Sequence, residues 1–119
     1  MKDFRKLNIW QQGVTIVKMT YRIVDLLPET EKYGLRSQMC RAAVSVPSNI
    51  AEGCSRNSDS DFRRYLDIAL GSLFELETQL IISEELKFVK EDEIKEIIDL
   101  IQKEEKMVNS LITKLKANG

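Results

Sequence analysis

The sequence predicts an all-α fold, an antiparallel up-down-up-down four-helix bundle. Three observations lead to this prediction. Helix-breaking residues are scarce, since the 119 residues contain only 5 Gly and 2 Pro. Apolar residues recur at steps of three and four in four separate stretches, and this is the period of one helix face. Short polar segments join the stretches, and short connections place consecutive helices side by side in opposite directions.

The first predicted helix runs from about Asn8 to Leu27. Its apolar face is formed by Ile9, Ile16, Val17, Thr20, Val24 and Leu27. A second apolar line lies beside it, formed by Trp10, Val14, Val17 and Tyr21. The apolar arc is therefore wider than a surface helix needs. Pro28 ends the element, because proline has no backbone N–H with which to continue the helix.

The second predicted helix begins between Thr30 and Leu35 and ends near Cys54. Its inner face is formed by Leu35, Met39, Ala42, Ala43, Val46, Ile50 and Cys54. Pro47 lies inside it, where it lacks a backbone donor and its ring crowds the carbonyl of Ala43, so a kink is predicted there. The helix also carries small residues that favour a closely packed neighbour: Ala42, Ala43, Ser45, Ser48, Ala51 and Gly53.

The third predicted helix begins after Ser58, which with Asp61 forms a capping box. A heptad-like seam then follows at steps of 4, 3, 4, 3 and 4, formed by Phe62, Leu66, Ala69, Leu73, Leu76 and Leu80. Gly71 inside this helix costs about 1 kcal/mol relative to Ala, so it is predicted to permit close packing. The helix is expected to end between Leu86 and Val89.

The fourth predicted helix opens with the acidic turn Glu91, Asp92 and Glu93, which suits the positive end of the helix dipole. One face is lined by Ile94, Ile97, Ile98, Ile101, Val108, Leu111, Ile112 and Leu115. Glu104 and Glu105 are predicted to interrupt that face.

Length and composition indicate a single folded domain over residues 1–119, with 43% hydrophobic and 31% charged residues. No apolar run approaches the roughly 18–20 residues that span a membrane, and no signal sequence is recognised at the start of the chain. A cytosolic protein without a membrane partner is therefore predicted. Cys40 and Cys54 have no metal-binding or redox spacing, and both are predicted to be buried small hydrophobic residues.

The sequence indicates no catalytic site, no metal site and no cofactor. It contains no histidine, which removes the commonest general base and the nucleophile pairs that depend on it. Two cysteines without histidine cannot complete a zinc ligand set. The glycine patterns that cradle nucleotide phosphates are also missing. A non-enzymatic protein is therefore predicted.

Positive charge is concentrated in the first half of the chain. Lys and Arg outnumber Asp and Glu by four in residues 1–64, whereas the acids lead by five in residues 65–119. Arginine suits bidentate phosphate contacts, so a nucleic-acid-binding face is one interpretation. Its candidates are Lys32, Arg36, Arg41, Arg56, Arg63 and Arg64. The alternative is that these cations pair with neighbouring acids, as Arg56 would with Glu52 four positions earlier.

Two further sets of residues are candidates for specific roles. Asn49 and Glu52 lie three apart on an otherwise small and apolar helix, and are predicted to form a structural polar core near Pro47, or else a polar ligand pocket. Aromatic residues in excess of what one small core holds are candidates for an oligomer interface. These are Trp10, Tyr21, Tyr65 and Phe74.

Four segments in order resemble the 23S rRNA intervening-sequence protein family. They are the Phe4, Leu7 and Trp10 pattern, residues 33–39, the stretch 41–53 that reads RAAVSVPSNIAEG, and residues 69–78. The resemblance covers residues 4 to about 80. Two positions depart from it: Cys40 stands where relatives often carry arginine, and Cys54 where an aromatic residue is common.

The resemblance implies a left-handed four-helix bundle that assembles into a ring, often a pentamer. Some members are encoded inside ribosomal RNA intervening sequences. A related bundle is an accessory protein of diversity-generating retroelements, where a basic ring surface works with nucleic acid and a reverse transcriptase.

Two functions follow as hypotheses. The first is a homo-oligomeric, pentameric scaffold that binds RNA or DNA through its arginine-rich face. The second is an adaptor that binds an unknown protein partner and has no nucleic-acid role, using the acidic fourth helix or the apolar excess. Arginines that converge on one exposed face would favour the first, and arginines buried in ion pairs would favour the second.

Overall fold

Four α-helices account for most of the chain in the computed structural model, which describes residues 2–118 and contains no strand in that range. The helices are α1 (Asn8–Ile23), α2 (Leu35–Cys54), α3 (Asp59–Glu85) and α4 (Glu91–Asn118). Short 3-10 turns lie at Phe4–Lys6, Val24–Leu26 and Glu29–Glu31. The all-α prediction is confirmed. None of the helices is long and apolar enough to cross a membrane, and cytosolic localisation stays a prediction.

The helix boundaries follow local signals. Ser58 Oγ accepts a hydrogen bond of 3.1 Å from the backbone N–H of Asp61, which confirms the predicted cap of α3. Lys87 ends the α3 region with a left-handed φ of 64°. The first helix is shorter than predicted, because the α-helical pattern stops at Ile23 and the chain tightens into a 3-10 turn before Leu27.

α2 packs against α1 and α3, and α4 packs against α3 and α1, so the apolar faces of all four helices share one core. The helix-three seam is confirmed, since none of its members is more than 3% exposed: Phe62, Leu66, Ala69, Leu73, Leu76 and Leu80. Cys54 is buried as predicted, but Cys40 is only half-buried. Burial raises the pKa of both thiols.

Glu104 interrupts the apolar face of α4, as predicted, and does so inside the core. Its side chain is 0% exposed, between the buried residues Ile101 and Val108. Steps of three and four place Glu104 on that face, so helical geometry directs it inward with its neighbours. Glu105, one residue later, is half-buried.

Pro47 is buried and lies within α2, which continues past it to Cys54. A Cβ atom added to Gly13 of α1 would lie 3.4 Å from Pro47 Cβ, so the two helices approach closely at this point. A bend at the proline stays a prediction.

Two helical glycines have opposite surroundings, and alanine at each is expected to have opposite effects. A Cβ on Gly53 would lie 2.8 Å from Phe62 Cδ1 and 3.0 Å from Tyr65 Cβ, so Gly53→Ala should destabilise the protein by about 1–2 kcal/mol. A Cβ on Gly71 would meet nothing within 4 Å among the described residues, so the predicted close packing there is wrong. Gly71→Ala should therefore stabilise by about 0.5–1 kcal/mol.

Urea unfolding of the two variants measures both effects, and each variant serves as the control for the other. Equal effects of the same sign would contradict the assignment of Gly53 as the contact glycine.

Candidate nucleic-acid interface

Two arginines stack on one tyrosine at the corner between α2 and α3. The Cζ atoms of Arg56 and Arg64 lie 4.8 Å and 4.9 Å from the centre of the Tyr65 ring. Arg56 Nη2 also donates a hydrogen bond of 2.7 Å to Tyr65 Oη. Stacking on an aromatic ring restrains a guanidinium while leaving N–H groups at its edge for an anionic ligand. Tyr65, a candidate for the oligomer interface, thus organises two candidate phosphate-binding residues.

The same corner contains a third cation and three acids, one of which, Asp59, lines the cavity there. Lys2 Nζ lies 5.2 Å from the centre of the Phe62 ring, and a cavity of about 130 Å³ lies between Lys2, Arg56 and the first residues of α3. Acidic partners reduce the charge of the corner: Arg56 Nη2 is 3.5 Å from Glu52 Oε1, and Arg64 Nε is 3.9 Å from Asp61 Oδ1. These are exposed ion pairs, which are worth about 0–1 kcal/mol and are readily exchanged for phosphate contacts.

Arg36 and Lys32 lie at the opposite end of α2. Arg36 binds two acids, through Nη1 to Glu29 Oε2 at 3.1 Å and Nη2 to Asp25 Oδ1 at 3.5 Å. Its side chain is only 21% exposed, so these contacts hold it against the protein. Lys32 is exposed, with Nζ 5.6 Å from the centre of the Tyr33 ring.

The two groups of cations are far apart, since they lie at opposite ends of α2, whose 20 residues span about 30 Å. Arg41 is exposed between them, and no carboxylate of residues 2–118 lies within 4.0 Å of it. Arg63 is half-buried, and its Nε is buried without a hydrogen-bond partner among the described residues. The six candidates therefore comprise the pair Lys32 and Arg36, the pair Arg56 and Arg64, and two further arginines, Arg41 and Arg63, and do not converge on a single patch.

Asn49 belongs to a polar chain that links α2 to α3. Its Nδ2 donates to the Ser45 carbonyl at 2.8 Å and to Ser45 Oγ at 2.9 Å, and Ser45 Oγ lies 2.9 Å from Ser72 Oγ. This agrees with a structural polar role. Glu52 does not share it: its side chain is 55% exposed and pairs with Arg56, because its position on α2 faces outward at the corner. Placing Glu52 in the polar core is therefore corrected.

The remaining aromatic candidates differ in exposure. Trp10 is half-buried and packs edge-on against Phe4, with ring centres 5.2 Å apart, so it closes one end of the core. Tyr21 is 51% exposed and Phe74 is 54% exposed. Phe74 shares one face of α3 with Ile81, which is 46% exposed, and with the half-buried Leu70.

A groove between α3 and α4 adjoins this face. Its volume is about 420 Å³, and its apolar lining comes from Ile81, Ile94 and Ile98. The other lining residues are charged: Glu84, Glu91, Lys95 and Asp99. Mixed apolar and charged lining of this kind occurs in protein–protein interfaces.

Two carboxyl groups of α4, those of Glu104 and Glu105, were predicted to interrupt its apolar face but were not among the candidate site residues. Burial raises the pKa of Glu104 to about 7, opposed by a hydrogen bond from Gln12. Burial, together with a hydrogen bond to Glu77 and the repulsion between the two carboxylates, raises the pKa of Glu105 to about 8. The spacing of Ile101, Glu104 and Val108 was the signal that could have identified Glu104 as buried. The part of the chain that the structure describes holds no cluster of three or more metal-binding side chains.

Comparisons with known proteins identify a protein family and similar solved structures. The family model described as 23S rRNA-intervening sequence protein matches residues 5–110. A crystal structure from Bacteroides thetaiotaomicron, a protein of unknown function from the S23 ribosomal protein family, is similar with a TM-score of 0.81. The identity is 21%, and the match covers 87% of this chain and 97% of that one. No curated protein sequence matches the chain.

Proposed function

Since this chain belongs to the 23S rRNA-intervening sequence protein family, we propose that it is a non-enzymatic, homo-oligomeric four-helix bundle that acts as a nucleic-acid-associated scaffold. The non-enzymatic part rests on the sequence, which has no histidine and no phosphate-binding glycine loop. The expected assembly is a ring of five copies, on the resemblance described above.

Contacts between α2 and α3 support an antiparallel arrangement of the helices. Ser83 Oγ lies 3.7 Å from Met39 Sδ, Ser45 contacts Ser72, and Arg56 contacts Tyr65. Residue numbers therefore rise along α2 as those of their α3 partners fall. Gln12 of α1 donates to Glu104 of α4, and Gln102 of α4 donates to Glu77 of α3, which agrees with neighbours joined in a closed bundle.

The apolar surface of α3 supports self-association. Phe74 and Ile81 are each about half exposed and share one face of α3, and Ile81 lines the α3–α4 groove. Large exposed apolar residues gathered on one face are typical of protein–protein interfaces. A second copy of this chain is the proposed occupant of that face.

The observation that carries the nucleic-acid proposal is the stacking of Arg56 and Arg64 on Tyr65. It brings two guanidinium groups to one exposed corner, with Lys2 nearby. Repetition of this corner around a ring would multiply the number of phosphate contacts, and affinity would then fall steeply with salt.

Fluorescence anisotropy with labelled structured RNA and duplex DNA tests this proposal at low and physiological salt. The double variant Arg56→Gln/Arg64→Gln is expected to bind about 10-fold more weakly. The slope of its log affinity against log salt concentration should become shallower, by the equivalent of about two phosphate contacts for each protomer that binds the nucleic acid. Lys18→Gln/Arg22→Gln removes the same charge from the exposed surface of α1 and is the matched control.

An equal loss of affinity in the control variant would show that net charge alone matters and would contradict a specific corner. If the unaltered protein binds neither nucleic acid at low salt, the scaffold proposal fails. The second candidate, a protein-interaction adaptor, would then be favoured. Two observations support that candidate: the exposed apolar face of α3, and the pairing of Arg36 with Asp25 and Glu29.

A further inference from the structure

The Glu104 side chain is buried in the protein, whereas the other glutamates of α4 are exposed or half-buried. Its side chain is 0% exposed. Oε1 accepts a hydrogen bond of 3.0 Å from Gln12 Nε2, and no described residue donates to Oε2. An ionised carboxylate with one hydrogen bond is poorly stabilised away from water, whereas a neutral carboxylic acid needs far less compensation.

Groups of α1 and α2 lie near Oε2. A Cβ atom added to Gly13 would lie 3.5 Å from Glu104 Oε2, 3.4 Å from Pro47 Cβ and 3.5 Å from Pro47 Cδ. The carboxyl group and the proline ring therefore flank the same glycine. Oε2 itself is buried from solvent, so hydration of the carboxylate requires that the neighbouring groups move apart.

The groups facing Glu104 offer no compensating positive charge. From α1 the neutral Gln12 donates a hydrogen bond to it, and from α2 the apolar Pro47 lies beside the same glycine, Gly13. On α4 itself, Glu105 interacts with Glu77 of α3. Within residues 2–118 no lysine or arginine comes within 4.0 Å of the Glu104 carboxylate.

Water can approach the buried carboxyl group of Glu104 from one side. A surface cavity of about 390 Å³ lies between α1 and α4, and Gln12, Lys103 and Met107 are among its lining residues. Gln12 Nε2 also lies 3.5 Å from Met107 Sδ, so these two side chains separate the cavity from the buried carboxyl group. Movement of α1 away from α4 would open this barrier.

We propose that Glu104 is held in the core as the neutral carboxylic acid, and that loss of its proton opens the α1–α4 seam to water. The raised pKa of Glu104, about 7, agrees with this geometry. The pKa of this carboxyl group is higher in the folded protein than its unfolded value of 4.5, so the neutral acid stabilises the folded state. This stabilisation is fully present below pH 4.5. That contribution is lost as pH rises through about 7. The seam is therefore a proton-sensitive element of the fold, closed in mild acid and loosened above neutral pH.

Carbon-detected NMR of the glutamate carboxyl groups tests the first half of the proposal. The Glu104 signal is expected to titrate near pH 7. The Gln12 hydrogen bond lowers this pKa, so Gln12→Leu should move the midpoint to higher pH. A Glu104 midpoint at its ordinary value in the intact protein would overturn the proposal, because the group would then be ionised in the closed core.

Unfolding and fluorescence measurements test the opening. Between mildly acidic and mildly alkaline pH, the unfolding equilibrium constant of the unaltered protein should rise about 100-fold more than that of Glu104→Gln, which keeps the shape but cannot ionise. Trp10 is the one tryptophan of the chain and lies in α1. Acrylamide quenching of its fluorescence should increase over the same pH range in the unaltered protein but not in Glu104→Gln.

Glu96→Gln alters an exposed carboxyl group of α4 and is the matched control, and Glu105→Gln separates the contribution of the Glu77–Glu105 pair. Both variants should retain the pH-dependent quenching of Trp10. Loss of that response in Glu105→Gln, or its persistence in Glu104→Gln, would overturn the assignment to Glu104. A titrating Glu104 without any change in quenching would overturn the opening.

Discussion

Replacing Leu73 with Ala is expected to lower the free energy of unfolding by about 2–5 kcal/mol. Leu73 is 0% exposed in the middle of the α3 seam, where neighbours on all sides belong to the core. Removing its isobutyl end forfeits apolar burial and leaves a cavity that packed helices refill only in part. The loss should fall near the top of this range if the surrounding helices cannot collapse toward the gap.

Urea unfolding followed by far-UV circular dichroism measures this loss. Asp67→Ala is the control on the same helix, because Asp67 is exposed, and it should change stability by less than about 0.5 kcal/mol. A loss below about 1 kcal/mol in Leu73→Ala would mean that the seam does not face the core at this position.

Replacing Phe74 with Asp is expected to weaken self-association by about 30-fold or more, which corresponds to an interface residue worth about 2 kcal/mol. Phe74 is 54% exposed, so the protomer tolerates a polar side chain there. A second copy covering the Phe74–Ile81 face would instead bury the new carboxylate without a partner, and burying an unpaired charge is costly.

Analytical ultracentrifugation or native mass spectrometry over a range of protein concentrations checks this result. Thr113→Asp adds the same charge on the exposed side of α4 and should leave the assembly unchanged. If Phe74→Asp assembles like the unaltered protein, the interface lies elsewhere. If the unaltered protein is monomeric at every concentration, the proposal of a homo-oligomer itself is wrong.

Leu73 and Phe74 also illustrate how far local sequence pattern reaches. Adjacent residues on a helix point about 100° apart, so a seam at steps of three and four separates inward from outward positions without knowledge of the partner helices. All six predicted seam residues of α3 are buried for this reason. The Ser58 cap was equally predictable, because it depends only on residues within one turn.

Other features depended on residues distant in sequence. Gly53 and Gly71 both lie in helices, yet only Gly53 faces an aromatic ring of another helix. Arg36 has the acids Asp25 and Glu29 as partners, eleven and seven positions away, whereas Arg56 stacks on Tyr65 across the α2–α3 corner. Spacing along one helix carries no information about such neighbours.

The sequence by itself thus determined the number of helices, their approximate limits and the faces that turn inward, because these follow from helical periodicity and capping within single segments. Only the tertiary structure decided which charges are compensated and which small residues are contacts, because those depend on what lies opposite across a helix interface. Glu104 shows both parts of this division. Its spacing predicts an inward position, but only the packing of Gln12, Gly13 and Pro47 around it makes the carboxyl group a buried acid.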